Sequence, residues 1–105
     1  MYEMIDASEA NALVDKNRKK VLDTLICDVA NDPLFLFGIR LKIEGAANLG
    51  FNFVRVDVPV LHDKESGDPL YKLVEEYLGL YGFVVKEHSG DEKRLTLEIV
   101  WPRTR

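Results

Sequence analysis

Apolar residues recur every three or four positions through the first third of the chain and predict a helix from about residue 7 to about residue 30. Asp6 or Ser8 can cap its start, and more negative charge follows in the first turn. The Asn31-Asp32-Pro33 triplet ends the helix, because proline cannot donate a backbone hydrogen bond and disfavours helical geometry at the preceding residue. The apolar positions are Ala10, Leu13, Val14, Val21, Leu22, Leu25, Ile26, Val29 and Ala30.

The segment from residue 34 to residue 49 fits two periodicities. Apolar residues alternate with period two from Phe35 to Ile43, which is typical of a strand. Helical spacing links Leu36, Ile39, Ile43, Ala46, Ala47 and Gly50. Good helix formers around residue 46 favour the helix, and Asp32 as cap with Pro33 in the first turn could begin it. We therefore expect a helix here and keep a strand over residues 34–44 as the alternative.

Alternation predicts a strand over residues 51–60, and helical spacing predicts a helix that ends near Tyr81. A polar loop over residues 62–68 separates them, and Asp68-Pro69 repeats the pattern of a cap followed by proline. One side of the strand carries Val54, Val56, Val58 and Val60, and the other carries Phe53, Arg55 and Asp57. The apolar face of the helix consists of Leu70, Leu73, Val74, Tyr77, Leu78 and Tyr81.

The last part of the chain predicts an antiparallel hairpin, in which residues 83–87 and a returning strand flank a polar turn at residues 89–92. The returning strand alternates through Leu95, Leu97, Ile99 and Trp101. The whole order predicts a single α+β domain over residues 1–105, with helices on one face of a small three-stranded, mainly antiparallel sheet. A strand at 34–44 would make the sheet four-stranded.

Two Gly-Phe pairs lie where a predicted helix passes into a predicted strand, in Leu49-Gly50-Phe51 and Tyr81-Gly82-Phe83. A glycine just past a helix adopts the left-handed conformation at little cost, and the apolar residue after it can pack back on the helix. These pairs predict two helix-to-strand units on one sheet.

The charge balance makes nucleic-acid binding an unfavoured interpretation. The chain has 14 Lys and Arg against 18 Asp and Glu, a net charge of −4, whereas phosphate binding favours a basic excess. The longest mostly apolar run, Leu34 to Ile39, is far shorter than the roughly 20 residues of a membrane span. A single cysteine, Cys27, forms no internal disulfide, which fits a cytoplasmic protein.

The strongest candidate for catalysis or metal binding is one acidic loop with a histidine, although a solvated loop is the favoured interpretation. Its residues are Asp57, His62, Asp63, Glu65 and Asp68. Their spacing is not that of a calcium loop, and no His-x-x-x-His pair exists. Cys27 has no nearby base that would activate it as a nucleophile. We therefore expect no enzymatic activity, catalytic residue, metal site or cofactor.

Two groups of residues are candidates for binding. Leu34, Phe35, Leu36 and Phe37 form an apolar block that is either core or a contact surface for a partner, including a second copy of the chain. Lys16, Lys19, Lys20 and Arg40 could bind an anionic ligand or nucleotide beside an aromatic platform, although a solvated helix face is the simpler explanation of the three lysines.

The order of these motifs resembles a plan found among small accessory proteins of tailed phages. The residues that carry the resemblance are Ser8, Glu9, Ala10, Ile43, Ala46, Ala47, Gly50, Leu73, Tyr77, Tyr81-Gly82-Phe83 and Ile99-Val100-Trp101. The resemblance implies a phage-encoded protein in the host cytoplasm, and it assigns no site residues. We expect a non-enzymatic interaction protein that binds a host protein to modulate or inhibit it and that can form a homodimer or higher oligomer. The alternative is a protein that sequesters a small ligand or nucleotide.

Overall fold

Helices and strands follow one another in the predicted order in a computed structural model, which describes residues 4–102 apart from the His88 side chain. Within that range the elements are α1 (Ala7–Ala30), α2 (Phe35–Asn48), β1 (Phe53–Pro59), α3 (Leu70–Gly79), β2 (Val84–Gly90) and β3 (Arg94–Val100). The three strands form one antiparallel sheet in the order β1-β3-β2. The predicted α+β class is therefore confirmed.

Residues 34–44 contribute a helix and not an extra strand, so the favoured interpretation of this segment is confirmed and the four-stranded alternative is wrong. Ile39 is buried, and Leu36 and Ile43 are half-buried against the core on the same side of α2. Because α2 lies on β1, this helical face covers apolar strand residues that an additional strand in the sheet would leave open.

Local signals set both ends of α1 where the sequence predicts them. The Asp6 carboxylate accepts a hydrogen bond from the Glu9 amide at 2.8 Å. Asn31 adopts the left-handed conformation with φ of 53°, and the amide of the next residue, Asp32, donates to the Cys27 carbonyl at 3.1 Å. The capped first turn and the left-handed exit together hold a helix of 24 residues.

Neither Asp-Pro pair begins its helix as predicted. The Asp32 carboxylate accepts from the Leu34 amide at 2.9 Å, and α2 starts only at Phe35. Pro69 is extended and directly precedes α3, which has no capping side chain. The proline ring fixes φ but leaves the preceding aspartate free to hydrogen-bond within its own turn.

Both glycine junctions have the predicted left-handed geometry. Gly50 has φ of +88° and Gly82 has φ of +91°. The Phe51 amide donates to the Ala46 carbonyl at 3.0 Å, and the Phe83 amide donates to the Leu78 carbonyl at 3.1 Å. These bonds satisfy carbonyls that the helix ends would leave without partners, and they turn the chain towards the sheet.

We expect Gly82→Ala to lower the free energy of unfolding by about 1–2 kcal/mol, because only the backbone conformation resists a side chain there. A Cβ atom at Gly82 would have no neighbouring heavy atom within 4 Å, so steric clash is not a cause. Gly45→Ala is the matched control, since Gly45 lies inside α2 and also has open space. It should raise the stability by about 0.5–1 kcal/mol. Urea unfolding measures both, and equal effects would contradict the strain argument.

The core lies between the helices and one face of the sheet. Its buried residues are Leu22, Ile26, Ile39, Val56, Val58, Leu70, Leu73, Val74, Leu78, Leu97 and Ile99. Helix α1 packs against α3 and α2, and its only buried residues in the described chain are Leu22 and Ile26. The Arg18 guanidinium also donates to the Glu76 carboxylate at 2.8 and 3.1 Å, which fixes α1 beside α3.

Candidate interaction surface

An exposed apolar stripe runs along the outer side of α2. Leu34, Phe37 and Leu41 are 64%, 52% and 51% exposed and follow one another at intervals of three and four residues. Of the apolar block predicted as a contact surface, Leu34 and Phe37 point outwards, whereas Phe35 and Leu36 are half-buried against the core. We call Leu34, Phe37 and Leu41 the α2 stripe.

A cleft of about 580 Å³ opens next to the α2 stripe, between α2 and α3. Both helices rest on the sheet, α2 on β1 and α3 mainly on β2. The walls are mainly apolar and aromatic, and Phe37 belongs to both the stripe and the cleft. The other apolar and aromatic lining residues are Leu36, Ile39, Ile43, Tyr77, Leu78, Tyr81 and Phe83.

Polar groups at the cleft are paired with each other. The Arg40 guanidinium donates to the Glu44 carboxylate one helical turn away at 2.9 Å. The Tyr77 hydroxyl donates to the Asp23 carboxylate at 3.4 Å. The charges of Arg40 and Glu44 compensate each other and Asp23 keeps its negative charge, so the cleft offers mainly apolar contact with one carboxylate in its lining.

The two tyrosines of the cleft pack against each other with ring centroids 5.3 Å apart. Burial raises the pKa of Tyr77, and the neighbouring Tyr81 and Asp23 raise it further. The Tyr77 hydroxyl is therefore protonated at neutral pH and acts as a hydrogen-bond donor. This rigid aromatic pair supplies contact area with little conformational entropy to lose on binding.

The four basic residues predicted as an anion site do not line one pocket. Among the described residues Arg40 is the only one of the four that lines the cleft, and it is paired with Glu44. The Lys19 ammonium lies 4.3 Å from the centroid of the Tyr81 ring, an arrangement typical of a cation–π contact. Lys16 and Lys20 are exposed on α1.

The acidic loop is a self-contained turn. The Ser66 hydroxyl and amide donate to the Asp63 carboxylate at 2.7 and 3.2 Å and lower the pKa of Asp63. Asp57 lies on β1 and accepts from the Thr96 hydroxyl of β3 at 2.8 Å. No cluster of three or more metal-ligating side chains occurs within residues 4–102, His88 aside.

Cys27 is half-buried near the end of α1, and its thiol lies 3.7 Å from the Pro33 carbonyl. Burial raises the pKa of the Cys27 thiol, and nearby Asp23, Asp28 and Asp32 raise it further. A raised pKa reduces the thiolate fraction at neutral pH, so Cys27 is a weaker nucleophile than a free cysteine.

Sequence reasoning missed two parts of this surface. Leu41 continues the α2 stripe, and its spacing from Leu34 and Phe37 could have identified it once the helix was preferred. Arg40 was named as a candidate, but Tyr77 was not assigned to its site: both line the cleft because α2 and α3 lie side by side on the sheet, and no local pattern signals that arrangement.

No helix in the described part of the chain is both long and apolar enough to cross a membrane. No protein-family model, curated protein or solved structure matches the chain significantly. Its function is therefore inferred from its own geometry.

Proposed function

We propose that the chain is a non-enzymatic interaction protein that binds another protein through the α2 stripe and the adjoining cleft. The observation that carries this proposal is a row of exposed large apolar side chains beside an open aromatic cleft. The resemblance to phage accessory proteins suggests a host protein as the partner, which binding would modulate or inhibit.

The shape of the surface favours an amphipathic helix from the partner. A groove between two helices accepts apolar side chains spaced along one face of a third helix. Phe37, Tyr77 and Tyr81 would act as aromatic anchors, since large aromatic residues in partly enclosed sites contribute most of the affinity in protein interfaces. The Arg40–Glu44 pair lies at the rim, where it would fix the orientation of the partner.

We expect Phe37→Asp to abolish capture of the partner, because a carboxylate would lose its water against apolar side chains. The immobilised chain would be exposed to lysate of the native host, and retained proteins would be compared between variants. Phe53→Asp is the matched control, since Phe53 is exposed to a similar degree on the open face of the sheet. A protein retained by the wild type and Phe53→Asp but lost from Phe37→Asp would support the proposal. Equal retention by all three would contradict it.

A small-ligand or nucleotide binder is the second candidate, because the cleft also has the size of a small-molecule pocket. Arg40 and the two tyrosines would then hold an aromatic anion. A thermal-shift screen against nucleotides separates the candidates, since a ligand stabilises by about 2.7 kcal/mol at a hundredfold excess over its dissociation constant. A shift that Arg40→Ala removes would favour this alternative over the protein partner.

A further inference from the structure

The N-terminal half of α1 extends away from the rest of the fold. No described residue before Leu22 is buried, and residues 7 to 17, which precede the contact between Arg18 and Glu76 of α3, span about 16 Å at the rise of an α-helix. The radius of gyration is 15.8 Å, against about 13 Å for a compact domain of this length. Isolated helices shorter than about 12–15 residues are only marginally stable in water. This segment therefore gains little stability from its own helical hydrogen bonds, and it buries no side chain against the rest of the fold.

The projecting segment carries an apolar stripe on the side of α1 that faces away from the core. Leu13 and Val14 are 50% and 62% exposed. At 3.6 residues per turn the stripe points about 140° away from Leu22 and Ile26. Its members follow the i, i+3, i+4, i+7 spacing of a helix that packs against another helix. We call this the α1 stripe, and it consists of Ala10, Leu13, Val14, Asn17 and Val21.

The charges beside the α1 stripe are acidic at the start of the helix and basic further along. Two copies of the helix that run in opposite directions therefore place opposite charges beside each other. Asp6 and Glu9 lie at the start of the helix, and Lys16 and Lys20 lie two to four turns later on the same flank. We propose that α1 pairs antiparallel with α1 of a second copy of this chain, centred on Leu13. In that arrangement Glu9 of each copy faces Lys16 of the other, and Asp6 faces Lys20.

The opposite orientation is disfavoured by the same charges. In a parallel pair related by a two-fold axis, the flank that carries Glu9 and Lys16 would face the opposite flank of the partner helix, so these ion pairs would not form. The antiparallel pair also aligns the two helix dipoles favourably and has the two-fold symmetry of most homodimers.

The partner surface and the dimer surface are different. The proposed function uses α2 and the cleft, whereas the dimer uses the projecting half of α1, which does not line the cleft. Beside the α2 stripe, Arg40 and Glu44 already pair with each other within the helix, so this stripe offers no comparable pattern of self-complementary charge. Self-association, predicted from the sequence at Leu34 to Phe37, is therefore assigned to α1.

Analytical ultracentrifugation from low to high micromolar concentration tests the dimer. The wild type should approach twice the chain mass of 12.0 kDa, and Leu13→Asp should raise the dimer dissociation constant about tenfold or more. Phe37→Asp is the control and should leave the dimer unchanged. The proposal would be overturned if the wild type had the mass of a single chain at every concentration. It would also be overturned if Phe37→Asp dissociated the dimer and Leu13→Asp did not.

Charge reversal tests the orientation. Glu9→Lys and Lys16→Glu should each weaken the dimer, and the double variant Glu9→Lys/Lys16→Glu should restore it. Two weakened single variants without restoration in the double variant would refute the antiparallel pairing. Partner capture by Leu13→Asp should match the wild type, so this proposal and the proposed function can fail separately.

Discussion

Leu22→Ala is expected to lower the free energy of unfolding by about 3 kcal/mol, within the range of about 2–5 kcal/mol for large-to-small changes in cores. Leu22 is fully buried and is the first residue of α1 to enter the core. Its removal leaves a cavity at the point where α1 is attached to α3 and α2. Urea unfolding followed by the fluorescence of Trp101, the single tryptophan, measures the loss.

Leu49→Ala makes the same chemical change at a residue that is 76% exposed and lies just after α2. Its effect should stay within about 0.5 kcal/mol, as for ordinary surface substitutions. A similar loss in both variants would show that Leu22 does not hold α1 on the core. Both measurements belong at one protein concentration, because dimerisation would make stability concentration-dependent.

Ile99→Ala should have an effect of similar size, with a loss of about 2–5 kcal/mol. Ile99 is fully buried on β3, the central strand, and lies between Val54 of β1 and Val85 of β2 in the register. Its side chain therefore belongs to the core, between the two outer strands on which α2 and α3 pack. Thermal and urea unfolding should agree on the loss, since small domains unfold in a single cooperative step.

Val100→Ala is the control for Ile99→Ala, because consecutive strand residues point to opposite faces of the sheet. Val100 lies on the face opposite the helices and is only half-buried. We expect a loss of no more than about 1 kcal/mol there. If Val100→Ala destabilised the chain as much as Ile99→Ala, the assignment of the two sheet faces would be wrong.

The sequence was sufficient where local chemistry decides the structure. Asp6 and Asn31 set the ends of α1 through hydrogen bonds to backbone groups within one turn. Val56 and Val58 are buried as their alternation with polar residues predicts. Gly50 and Gly82 take positive φ because the chain must leave each helix towards the sheet.

The sequence was insufficient where contacts between residues far apart in the chain decide the structure. Ile39 and Ile43 belong to both the strand and the helix pattern of residues 34–49, so only packing on β1 distinguishes them. Leu13 and Leu22 both belong to the predicted apolar repeat, yet they lie on opposite faces of α1, and one is exposed and the other buried. Which face of α1 is covered depends on where α3 and α2 pack against it, and no local pattern encodes that choice.

The order of the strands has a consequence for how the chain forms during synthesis. β3 is the last strand to be made, yet it is the only one that pairs with both others. β1 and β2 thus have no partner in this sheet until residues 94–100 are synthesised, although the residues of α1, α2 and α3 have been synthesised by then. Until then the inner faces of α2 and α3 lack the closed sheet beneath them, so the nascent chain exposes apolar surface that is prone to aggregation.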